Sequence, residues 1–174
     1  MRIDRLPAPP TVSLALALIA ALLLATVLAL QYLAGLAPCP LCIWQRYPHL
    51  AVVVLGLIGW RWQTRPMLGL IALGLLGGAG LAGYHVGVEQ GWIALPAGCA
   101  AGQGATSVEE LRQMLAEAPP ACDQVSFTFA GLSLAGWNLI GSLAMAGIAA
   151  WAALRPTGRT EAEPVSERLA GRRG

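Results

Sequence analysis

The chain has 174 residues, of which 56% are hydrophobic and 11% charged, against about a quarter charged in an ordinary soluble domain. No Asp or Glu falls between Asp4 and Glu89, a gap that a water-facing surface of that length does not tolerate. The formal net charge is +2, every basic residue is Arg, and the absence of a basic stripe argues against nucleic acid as a partner.

Arg2 and Arg5 precede the apolar run Val12–Leu33. That run exceeds the roughly 7–15 residues of a signal-peptide core and is read as a retained membrane span. A short link, Gly35–Cys42, leads to a second span at about Ile43–Trp60, the weakest of the set because Arg46 and His49 stand near one end. An Arg at a span end can place its head group at the interface, so the span stands. Arg61 and Arg65 lie in the turn that follows, and a third span covers about Met67–Val88.

The loop from Glu89 to Gly131 holds Glu89, Glu109, Glu110, Glu117 and Asp123 against the single Arg112. Within it, Ser107-Val-Glu-Glu110 matches a capping box, and Val108, Leu111, Met114, Leu115 and Ala118 recur at helical spacing. The expectation is a short amphipathic helix ended by Pro119-Pro120. The fourth span is about Leu132–Leu154, and the Arg- and Glu-rich tail over 155–174 has the composition of a disordered segment. The fold class expected is an all-α membrane protein, a four-helix transmembrane bundle forming one domain over residues 1–154.

Arg clusters in the N-terminal tail, the 61–65 turn and the C-terminal tail place these three in the cytoplasm by the positive-inside rule. Both termini are then cytoplasmic, and the loops over 34–42 and 89–131 face the other side with all four cysteines. Tyr32, Trp44, Tyr47, Trp60, Trp62, Tyr84, Trp92 and Trp137 fall near span ends, as interfacial anchors do.

Outside the cytoplasm an even cysteine count reads first as two disulfides, with three connectivities open. Local geometry favours Cys39–Cys42 and Cys99–Cys122. A bridge across two residues removes little chain entropy, so a structural role for Cys39-Pro-Leu-Cys42 is weak, whereas the longer Cys99–Cys122 loop could gain roughly 3 kcal/mol. Cys42 is expected in the first turn of the second span, where free amides and the helix dipole favour a thiolate, with Arg46 one turn on as a fixed cation. Zinc is disfavoured because Cys99 and Cys122 lack the paired spacing of a four-ligand site. A thioredoxin fold is excluded because the C-x-x-C enters a membrane span and not a βαβ unit.

Taken together, the chain resembles the disulfide-bond formation protein B family, DsbB. The resemblance rests on Pro38-Cys39-Pro-Leu-Cys42-Ile-Trp-Gln-Arg46 after the first span, Tyr84-His85 near the end of the third, the second cysteine pair in the following loop, and Gly131-Leu-Ser-Leu-Ala-Gly-Trp137-Asn138 entering the fourth. It implies a bacterial inner-membrane thiol oxidoreductase with a periplasmic DsbA-like partner and a membrane quinone, ubiquinone or menaquinone, as final acceptor. The implied relay starts with a partner thiolate at Cys99. Cys122 then engages Cys39, and Cys42, held near Arg46, delivers the electrons to quinone. His85 falls within one position of a family residue near the quinone, and is otherwise read as a solvated or locally bonded interfacial histidine. Phe127 stands where some members have Trp and is assigned no binding role. Two alternatives differ from this reading: a vitamin K epoxide reductase-like enzyme, whose C-x-x-C lies toward the final span, and a metal-binding membrane protein.

Overall fold

The computed structural model describes residues 9–62, 65–99, 106–110, 112 and 119–155. Four helical spans run in sequence: α1 (Pro9–Tyr32), the pair α2 (Pro40–Trp44) and α3 (Arg46–Trp62), α4 (Arg65–Glu89) and α5 (Leu134–Leu154). Each span is long enough for a hydrocarbon core that needs about 20 residues. The chain is an all-α four-helix membrane protein.

The interior is built from small and branched apolar residues of all four spans, among them Val12, Leu16, Val52, Leu68, Ile71, Leu75, Met145 and Ala149. The outer faces carry large apolar side chains such as Leu18, Leu22, Leu73 and Trp151. In water such a surface would drive aggregation, and in lipid it is matched by its solvent. Gly56 permits the closest approach, because a Cβ there would stand 2.7 Å from both the Ala17 Cβ and the Ser13 carbonyl oxygen of α1.

The second span differs from the sequence expectation at its start. Helix begins at Pro40 instead of Ile43, so Cys42 lies inside it. It is interrupted at Gln45, three residues before Pro48. Proline supplies no N–H and its ring collides with the carbonyl one turn earlier, which breaks the helix at that point. The fourth span starts two residues later than expected, because Leu132–Ser133 (β2) pairs antiparallel with Thr128–Phe129 (β1). Ala130 and Gly131 connect them with φ of 50° and 81°, the doubly left-handed turn of a two-residue hairpin.

In the acidic loop, residues 108–110 are helical. The Ser107 hydroxyl accepts the Glu110 amide as a capping box requires, but the Glu110 carboxylate reaches back to the amide and hydroxyl of Thr106 instead of Ser107. The rest of the expected amphipathic stripe, Leu111, Met114, Leu115 and Ala118, lies outside the described residues, as does the tail after Arg155.

Candidate active site

Pro40 opens α2 with the φ of a first helical residue already set, which makes Cys39 the N-cap. The Cys39 sulfur accepts the Cys42 amide at 3.2 Å. The expectation had given this helix-terminal amide to a Cys42 thiolate, and the structure corrects it: Cys42 is the donor and Cys39 the recipient. The sulfurs of Cys39 and Cys42 lie 2.8 Å apart as free thiols, so of the two bridges favoured from the sequence this one is open in the structure. The Cys39 thiol is lowered from 9.0 to about 5, chiefly by its hydrogen bond with the Cys42 sulfur. Burial opposes this, and His85 and the Cys42 amide assist it.

His85 is buried on the last full turn of α4, with its Nε2 3.6 Å from the Cys39 sulfur and 3.1 Å from the Cys122 carbonyl oxygen. Of the two plain readings of this histidine, solvated or locally bonded, the structure has the second, since packing of the cysteine loops over the end of α4 removes it from solvent. Gln45 Nε2 donates to His85 Nδ1 at 2.7 Å, Asn138 Nδ2 donates to Gln45 Oε1 at 2.6 Å, and Ser142 Oγ donates to Asn138 Oδ1 at 3.2 Å. With Nδ1 accepting and the Cys122 carbonyl able only to accept, the proton of a neutral His85 belongs on Nε2. One helical turn beyond, the Glu89 carboxylate lies 3.8 Å from that Nε2 and accepts the Ser133 hydroxyl at 2.5 Å.

The second pair, Cys99–Cys122, is a disulfide. The loop returns to α4 through Gly91, at φ +70°, and the amides of Trp92 and Ile93 both donate to the Gly87 carbonyl. Gly87 is required there, because a Cβ would stand 2.6 Å from the Ile93 side chain. A single 3-10 turn, Ala97–Cys99, then delivers Cys99. Cys39, Cys99 and Cys122 share one buried cluster with Leu41 and Val88, and Cys42 packs against it.

Cys42 faces elsewhere. With Gln45, Arg46, His49 and Asn138 it forms the polar edge of a mainly apolar cavity of about 440 Å³ between α1 and α5. Leu24, Val27, Leu30 and Ala144 line the apolar part, and Phe127 and Trp137 lie at its rim. Arg46 and Cys42 thus reach one space from opposite sides of the break at Gln45. His49 Nδ1 lies 3.1 Å from the Gln45 carbonyl, which can only accept, so its Nε2 is left as an acceptor when the ring is neutral. Trp44 is turned outward, edge-on to Tyr47, and does not line the cavity.

Gln45, His49, Glu89, Asn138 and Ser142 were not singled out as site residues from the sequence. The one-turn spacings His85/Glu89, Gln45/His49 and Asn138/Ser142 were the local signal, together with the place of Gln45 and Asn138 in the quoted motif segments.

Comparison with known proteins identifies the family. The profile of the family described as disulfide bond formation protein DsbB matches residues 9–152. A disulfide bond formation protein B of Azoarcus sp. (strain BH72) is 35% identical over 139 residues, covering 75% of this chain and 84% of its own. One from Stutzerimonas stutzeri (strain A1501) is 30% identical over 163 residues, covering 87% and 98%. A third, from Dechloromonas aromatica (strain RCB), is 34% identical over 142 residues, covering 76% and 82%.

Proposed function

This chain belongs to the disulfide bond formation protein DsbB family, and as a multi-pass inner-membrane disulfide oxidoreductase we propose that it reoxidises a periplasmic DsbA-like protein at the expense of membrane quinone. The observation that carries this reading is the division of labour within one C-x-x-C. Cys39 faces His85 and the second cysteine pair, while Cys42 faces the apolar cavity. Both termini then lie in the cytoplasm, as the Arg distribution requires.

In the proposed cycle the Cys39–Cys42 pair starts as a disulfide. A partner thiolate attacks the Cys99 sulfur, breaking Cys99–Cys122 and forming a mixed disulfide. The Cys122 thiolate attacks Cys39, forming a bridge between the loops and releasing Cys42 as a thiolate. The partner's second thiol displaces Cys99 and leaves oxidised, losing two electrons and two protons. Cys99 returns to Cys122 and releases Cys39, leaving Cys39 and Cys42 both reduced; their reclosure gives up two electrons, for which quinone would be the acceptor. His85 Nε2, beside both the Cys39 sulfur and the Cys122 backbone, is placed to hold or yield a proton during this exchange.

The cavity fits a quinone in size, within the roughly 300–1,000 Å³ of small-molecule sites. Its donor set also fits, with the Arg46 guanidinium for a ring oxygen and the His49 Nε2 acceptor for a hydroxyl. Quinone, when bound, supplies a lipid-soluble acceptor for two electrons and two protons.

The test is oxidation of a reduced thioredoxin-fold partner by purified protein, with and without added quinone. Stoichiometric partner oxidation that requires quinone and is abolished by Cys42→Ser supports the reading. Multiple turnovers without quinone, or with Cys42→Ser, overturn it.

A further inference from the structure

Cys39, Cys42 and His85 each offer one ligand atom, and all three atoms lie within 4.8 Å of one another. Zinc was disfavoured from the sequence because Cys99 and Cys122 lack the paired spacing of a four-ligand site. The third ligand comes instead from α4, a distant helix, and was not visible in that spacing. Two thiolates and an imidazole are the donor set of soft or borderline d10 cations such as zinc and cadmium. Catalytic and other open zinc sites have three protein ligands with a free fourth position.

We propose that the reduced Cys39/Cys42 dithiol, together with His85, is a redox-gated binding site for a thiophilic divalent d10 cation, and that its occupation halts electron flow. Binding forms two metal–sulfur bonds and one metal–nitrogen bond, displaces any proton the two sulfurs still carry, and changes no oxidation state. Two thiolates cancel the charge of a divalent ion, so the complex is neutral where charge is costly to bury. Closing the Cys39–Cys42 disulfide removes two of the three ligands, which restricts capture to molecules that have received electrons and not yet passed them on.

Metal at Nε2 requires the His85 proton on Nδ1. Gln45 then presents its carbonyl oxygen to Nδ1–H, and Asn138 turns with it so that Ser142 accepts at the far end. Every member of the chain keeps a partner after this reversal. Gln45 is thus the outer-shell orienting group that histidine ligands ordinarily have. The inference concerns the dithiol itself, and a binding titration reads it whether or not quinone is the final acceptor.

The experiment uses the full chain in detergent as a Cys99→Ser/Cys122→Ser variant, reduced and freed of reductant, titrated with cadmium and separately with cobalt. One cadmium per chain with sulfur-to-cadmium charge-transfer absorption, a tetrahedral cobalt spectrum, and neither signal after oxidation of the dithiol are expected. Gln45→Leu should weaken binding about 10–100-fold, His85→Ala at least as much, and His85→Cys should restore it with a stronger charge-transfer band. Absence of charge-transfer absorption in the reduced protein, equal binding by the oxidised protein, or an affinity unchanged by His85→Ala would each overturn the proposal.

Discussion

The Nε2 atom of His85 lies 3.6 Å from the sulfur of Cys39, and a Gln45–Asn138–Ser142 chain enters the same ring from its other nitrogen. A histidine from the third span is thereby fixed beside a sulfur that caps the second. In metal-free reduced protein, the thiol of Cys39 is lowered to about 5. Its thiolate is therefore present above that pH and lost as pH falls through it. Alkylation of Cys39, followed by mass spectrometry from pH 4 to 9, should show its midpoint near 5, and His85→Ala should move the midpoint upward. An identical midpoint in both proteins would remove His85 from the account.

Arg46 and Cys42 line one cavity, and no carboxylate pairs with Arg46 among the described residues. Arg46→Ala should lower the efficiency of quinone use by about 10–100-fold, or about 1.4–2.8 kcal/mol at 1.4 kcal/mol per tenfold. Exchange of a partner thiol into Cys99–Cys122 should be unchanged. Stopped-flow measurement of each half-reaction separates the two, and equal loss in both counts against a role for Arg46 at the cavity.

The four spans, the positions of the cysteines and the Cys42/Arg46 spacing were all legible in the sequence, because each is carried by composition or by local periodicity. The break at Gln45 was legible in principle from Pro48, but the apolar content of the span masked it. Contacts of His85 with Cys39 and of Asn138 with Gln45 were not legible. They depend on the rotation and depth of one helix against another, and no window along the chain reports them. Phe127 at the cavity rim illustrates the same limit, since only the hairpin behind it turns that stretch of loop back over α5.

Gly87→Val would place side-chain carbon where Ile93 now packs. Overpacking of this kind costs about 1–3 kcal/mol, and here it falls on the turn that carries Cys99 toward Cys122. The Cys99–Cys122 loop should become sensitive to limited proteolysis while the helical content by circular dichroism stays constant. A loop as resistant as in the original protein would show that Ile93 does not hold it.

Ser133 caps α5 by accepting the Gly136 amide at 3.1 Å and donates to the buried Glu89 carboxylate. Ser133→Ala removes both, at about 0.5–2 kcal/mol for the cap alone, and strips Glu89 of a donor. Thermal unfolding in detergent should report a lower midpoint, and Ser133→Thr should recover most of it because its hydroxyl serves both partners. Failure of Thr to recover the loss would point to steric causes at that position.

The N-cap that buries the Cys39 sulfur against His85 while Cys42 lines the cavity has a further consequence. A soluble dithiol and a greasy oxidant sharing one open pocket could react directly, and the oxidising power would be spent on any thiol that wandered in. Here the Cys39 sulfur touches that of Cys42 at 2.8 Å without lining the cavity, and in the proposed cycle current crosses by exchange among the protein's own sulfurs, so that the choice of donor is left to whatever fits at Cys99.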